Sequence, residues 1–184
     1  MKQIFLILSL SLAFSSCEKD NNKVNNPPSQ NDQEVITSLL IICEDENGNR
    51  LQFAYSDPDG DGGNSFLRFD TIRLAANTSY LTSVLFLDES KSPTLDLTDE
   101  IQAEASDHQV FYEKSQGLGM NVFYNDLDSE GRPLGIHTSW ETTTNSTGIL
   151  TILLKHQPGV KANAPGDSQL GETDVELPFQ VEIL

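Results

Sequence analysis

Three histidines, His108, His137 and His156, are the side chains of this 184-residue chain best suited to hold a transition metal. A neutral imidazole is the commonest protein ligand for zinc and copper, and two or three of them on one rim make a site. If the stretch through Ile101 and His108 is helical, Glu104 and His108 lie four apart on one face and present a carboxylate and an imidazole to one cation. His137 alternates in phase with Ser139 and Glu141, opposite Ile136 and Trp140. His156 follows Leu150, Ile152 and Leu154 in phase but stands at the end of its run, where a side chain reaches the rim of a sandwich. The three could meet at one end of a fold and, with Glu104, hold Zn or Cu. The alternative is that each is a hydrogen-bonded surface residue.

A second chemistry is offered by the acidic loop that begins at Asp57. Asp57, Asp59 and Asp61 place oxygen donors at alternate positions before Gly62, as in the first half of a calcium loop. The twelfth position is Arg68 where an EF-hand has a bidentate Glu, so calcium here would need a closing carboxylate from elsewhere, and Asp70 is near. Asp126, Asp128 and Glu130 before Gly131 repeat the spacing, with His137 in the twelfth position. The competing reading is that both stretches are turns, since Asp tolerates left-handed backbone and glycine adopts it freely. Catalysis finds less support. There is no Gly-x-Ser-x-Gly elbow, no HExxH helix, no glycine-rich phosphate loop and no carboxylate couple that stands out, so the chain reads as a binder and not an enzyme.

These groups need a scaffold and an address. Lys2 precedes an apolar run from Ile4 to Phe14, too short for a bilayer span of roughly 20 residues, and Ser15 and Ser16 precede Cys17. This is the layout of a cleaved secretory leader. The small-small-Cys ending resembles the lipobox of bacterial lipoproteins, which implies that residues 1–16 are removed, that the Cys17 thiol carries a diacylglycerol, and that lipid holds the chain on a membrane. More than one acyl chain is what stable anchoring requires. Residues 17–33, rich in Asn, Asp, Lys and Pro, read as a disordered linker, and 34–184 as one domain with a sizeable core. Cys43 has no second thiol to pair with and reads as a small buried hydrophobe.

With 11 Lys plus Arg against 28 Asp plus Glu, the net charge is −17. Such a surface repels phosphate backbones, which excludes nucleic acid as a partner, and it suits cations or a basic protein.

The order of elements predicts an all-β domain, a single antiparallel immunoglobulin-like β-sandwich with one short helix. Val35 to Cys43 is apolar on both faces and reads as a central strand; Asn47-Gly48 makes a hairpin turn into Leu51, Phe53 and Tyr55, one dry face. Strands follow at Ile72–Leu74 and Tyr80–Leu87. A helix lies within Leu95 to Asp107, capped by Thr98 and Asp99. Further strands are His108–Glu113, Gly119–Asn125, Leu134–Glu141 and Gly148–His156. In the last strand Val175, Leu177, Phe179, Val181 and Ile183 point one way, and Pro178 marks an edge or a bulge.

Several stretches together resemble a family of small Bacteroidetes outer-membrane lipoproteins: DPDGDGG, FDTIRLAANTSY, EIQAEASDHQVFY, YNDLDSEGRPLG, LLKHQPGVK and GETDVELPFQVEIL. Members are often labelled "type 1 periplasmic binding fold superfamily protein", a label whose large α/β fold does not suit so short and strand-rich a chain. The resemblance implies a lipid-anchored protein of the outer membrane, on its periplasmic face or at the cell surface. It further implies an accessory to a TonB-dependent receptor in uptake of a metal ion, with His108 and His156 inside the matching segments. The alternative from the residues themselves is a calcium-dependent or metal-free adhesion or glycan-binding module.

Overall fold

The computed structural model describes residues 35–58 and 67–184. The leader, Cys17, the linker, Asp59 and Asp61 lie outside the described residues. Two β-sheets face each other across a common core, so the domain is an all-β, immunoglobulin-like sandwich with one short helix.

The larger sheet is seeded by the hairpin of β1 (Ser38–Asp45) and β2 (Arg50–Ser56). Gly48 takes φ +80° in the turn, and the Asp45 carboxylate accepts hydrogen bonds from the backbone N–H groups of Asn47 and Asn49, so the turn is closed by its own residues. Strand β5 (Ser79–Asp88) pairs with the other side of β1. Along β1, Leu39, Ile41 and Cys43 are fully buried and point inward, while Leu40 and Ile42 point outward and are only half-buried. The inward face of β2 is dry at Phe53, whereas Leu51, at the strand's start, is exposed.

Beyond β5 lie β9 (His137–Thr142) and the edge strand β8 (Met120–Tyr124); β3 (Arg68–Phe69) extends β2, and β6 (Leu95–Asp96) continues beside β5 where β9 has ended. The expected strand from Leu134 starts only at His137 because Gly135, at φ +95°, breaks the extended backbone.

The smaller sheet runs β4 (Ile72–Leu74), β11 (Glu172–Ile183), β10 (Ser146–His156), β7 (His108–Lys114). All of its pairings are antiparallel except β4 with β11, which is parallel, a departure from the purely antiparallel expectation. The β11 alternation is as the sequence predicts, with Leu177, Phe179, Val181 and Ile183 buried. Pro178 pairs with Thr151 on one side, and β4 covers only Val181 to Ile183 on the other, so the proline sits where β11 is an edge. Aromatic contacts bridge the two sheets: Tyr112 meets Trp140 edge-on at 5.9 Å, and Phe69 meets Phe179 at 4.9 Å.

The helix α1 (Thr98–Ala103) is shorter than the sequence suggests, and its capping differs. The Thr98 hydroxyl accepts a hydrogen bond from the Phe86 N–H and so fastens the helix to β5; the Asp96 carboxylate takes the Thr98 N–H in its place. Ile101 anchors the helix in the core.

Candidate metal-binding site

Strands β7 and β10 pair so that His108 faces His156 directly, both continuing the inward faces marked by Val110 and by Leu154. The ring centroids are 4.8 Å apart and tilted by 35°. His108 is fully buried. Its Nδ1 lies 3.3 Å from the backbone carbonyl of Glu104, which also accepts from the N–H groups of Asp107 and His108. A carbonyl only accepts, so Nδ1 carries the proton and the lone pair sits on Nε2. A metal-binding imidazole is commonly oriented in this way, by a carbonyl on its other nitrogen.

Nε2 of His108 lies 4.0 Å from Oδ2 of Asp174, whose side chain is 2% exposed and whose Oδ2 makes no hydrogen bond among the described residues. Asp174 comes from β11 by way of a bulge. Leu154 pairs with Val175 and Lys155 with Thr173, which leaves Asp174 as the extra residue, and a bulge re-aims a side chain that strict alternation would send outward with Glu176. Sequence reading passed over Asp174 for this reason; the only cue was an acid placed just before a strictly alternating run.

The start of β11 is set by the loop after β10. Gln157 donates from Nε2 to the carbonyls of Asp167 and Leu170, Gln109 donates to that of Pro165, and both glutamines are fully buried. Gly171, at φ +72°, closes the loop against the His156 carbonyl, where a Cβ would collide.

Burial, followed by the neighbouring charge of His156, holds the His108 imidazole down to about 4, and burial pushes the Asp174 carboxyl up to about 6. At neutral pH the site therefore presents a neutral imidazole and a carboxylate, the forms that ligate.

The other expected ligands are placed differently. Glu104 ends the helix rather than sharing a helical face with His108; its carboxylate is 3.9 Å from Nδ1, on the side of the ring away from Asp174. His137 belongs to β9 of the other sheet, is exposed on its outer face, and does not join His108 and His156. No group of three His, Cys, Asp or Glu side chains already stands at ligand geometry among the described residues. Tetrahedral zinc with bonds of about 2.1 Å would bring an N and an O ligand to roughly 3.4 Å, so the 4.0 Å between His108 and Asp174 asks for a shift of less than an ångström. Imidazole and carboxylate are ligand types that zinc and copper take, and the His156 ring lies 4.8 Å from that of His108 between centroids.

The acidic loops fare unequally. Asp128 accepts from the N–H groups of Glu130 and Arg132, from Arg132 Nε at 2.8 Å and from Lys161 Nζ at 3.1 Å, so its charge is met by the protein's own cations and not by calcium. Asp126 accepts from the N–H groups of Gly135 and His137, which makes the second stretch a structural turn. In the first loop Asp57 is buried with Tyr55 Oη 3.3 Å from its carboxylate, and Asp70 is held by Arg68 and by the Ala54 N–H, so Asp70 is committed within the fold.

The structure is thus a two-sheet sandwich in which His108 stacks beside His156, and Asp174 lies 4.0 Å from His108, at one end of the smaller sheet. Comparison with protein-family models, with curated proteins and with solved structures finds no match to this chain.

Proposed function

We propose that this protein is a lipid-anchored cell-envelope binding protein that captures a transition-metal ion, Zn or Cu, at His108, His156 and Asp174. Its further role is to present that ion to a TonB-dependent receptor of the outer membrane. The observation that supports the reading is the buried carboxylate of Asp174, carried by a bulge to within 4.0 Å of an imidazole whose other nitrogen faces a carbonyl. Burying an ionisable carboxylate without a hydrogen bond at one oxygen costs free energy, and a site that binds a cation recovers it. Lipid attachment at Cys17 rests on the residues before it.

Two measurements test the proposal. Titration calorimetry of the full chain with Zn and with Cu is expected to show saturable binding that disappears when His108 and His156 are both replaced by alanine. Binding that survives the double replacement would place the metal elsewhere. In a detergent phase separation the exported protein is expected in the detergent phase, and the Cys17→Ser variant in the aqueous phase. A calcium titration in the same series separates the adhesion-module reading, which predicts heat with calcium and none with Zn or Cu.

A further inference from the structure

The outer face of the seven-stranded sheet is built unlike a solvated surface. The registers place side chains in rows across it: Arg50, Glu44, Leu81, Ser139 and Phe123 form one row, and Gln52, Ile42, Ser83 and His137 the next. Leu81 is 67% exposed and Phe123 49%, and the small Ser139 lies between them. In the next row the small Ser83 between Ile42 and His137 leaves a shallow groove of about 470 Å³. Leu40 and Leu85 continue the apolar surface along β1 and β5. An antiparallel sheet with one solvated face carries polar residues there, so Leu40, Ile42, Leu81 and Leu85 on adjacent strands, with Phe123 beyond Ser139, mark an interaction site.

Charge decides what covers it. A smaller depression that shares Glu44 and Leu81 with the groove is bordered by Glu44, Asp45, Glu46 and Glu141, and Arg50, the cation in the row, is tied to Glu44 at 2.6 Å. A second copy laid face to face would set two acidic rims together on chains of net charge −17, a like-charge contact that opposes self-association. We propose that this face docks a protein segment that presents aliphatic or aromatic side chains flanked by Lys or Arg. The apolar side chains enter between Leu81 and Phe123 and over Ser83, while the cations meet the acidic rim. This surface is distinct from the His108 site, and the inference stands whether or not that site holds a metal.

The test uses the full chain and two labelled probes, a monomeric amphipathic peptide of Leu and Lys and its counterpart of Leu and Glu, read by fluorescence anisotropy. The Leu-Lys peptide is expected to bind saturably and the Leu-Glu peptide at least about tenfold more weakly. Leu81→Asp and Phe123→Asp are each expected to weaken the Leu-Lys peptide by about tenfold or more. Both residues are exposed, and unchanged thermal melts would show that the variants fold. Glu100→Gln, on the helix, is expected to leave binding unchanged. Equal binding of both peptides overturns the inference, as does retention of affinity by both Asp variants, which would reduce the attraction to bulk charge. Sedimentation that shows a dimer dissolved by Leu81→Asp would assign the face to a second copy and overturn it equally.

Discussion

Replacing Asp128 by alanine is expected to destabilise the domain by about 3–5 kcal/mol, the cost of breaking a buried ion pair by removing one partner. Lys161 is fully buried at its side chain, and its ammonium has Asp128 at 3.1 Å and the Ala105 carbonyl at 2.7 Å; without the carboxylate a buried cation is left with a single carbonyl. Arg132 loses its closer carboxylate and keeps only the exposed Glu130 at 3.4 Å, which loosens its tie to the Ser106 and Lys161 carbonyls that binds three loops together. Burial opposes ionisation of Asp128, but the Arg132 N–H, the Arg132 side chain, Lys161 and the Glu130 N–H outweigh it and hold the carboxyl well below its ordinary value of 3.8. A depressed carboxyl contributes stability above that ordinary value and loses it as the pH falls toward the folded value. Urea unfolding at neutral pH and below pH 3.8 reads both effects: the wild type should weaken with acid, and Asp128→Ala should weaken less because the coupled proton is gone. A variant within about 1 kcal/mol of wild type at neutral pH would show that the cluster contributes little.

Asp174→Asn carries the second large effect, and its two readouts move in opposite directions. Burial raises the Asp174 carboxyl from 3.8 to about 6, so its charged form costs the folded protein stability above pH 6 and that cost fades as the pH falls. Removing the charge should stabilise the metal-free protein near neutral pH by about 2 kcal/mol. Affinity for Zn or Cu should fall by about a hundredfold or more, since a ligand is lost and not merely its support. His108 runs the other way: with its imidazole held down from 6.5 to about 4, it contributes stability above pH 6.5 that is lost as the pH falls toward 4. In the wild type the two groups offset each other between pH 6 and pH 4, whereas Asp174→Asn should lose stability steadily across that range. A variant that is both less stable at neutral pH and unimpaired in metal binding would make Asp174 a purely structural residue.

Much of the scaffold is legible in the chain because it rests on local periodicity. The two-sided apolar run at the start of the domain, the Asn47-Gly48 hairpin and the alternation from Val175 to Ile183 each depend on which side chains a strand turns to which face, and the structure places these strands within one or a few residues of expectation. The helix was harder, because Thr98 serves β5 and the turn at Glu104 feeds a strand, and neither fact is local. The Asp126 to Gly131 stretch has calcium-like spacing, but its cations come from Arg132 and from Lys161, far along the chain.

What the residues determined unaided was the class of the domain, its acidity and the pairing of types that allows His108 and His156 to approach, since all of these follow from composition and from a two-residue period. Only the tertiary structure decided which of these side chains come together. His137 was assigned to the opposite sheet by strand order, and Asp174 was turned toward His108 by a single extra residue in β11, because a bulge reverses the facing that periodicity dictates.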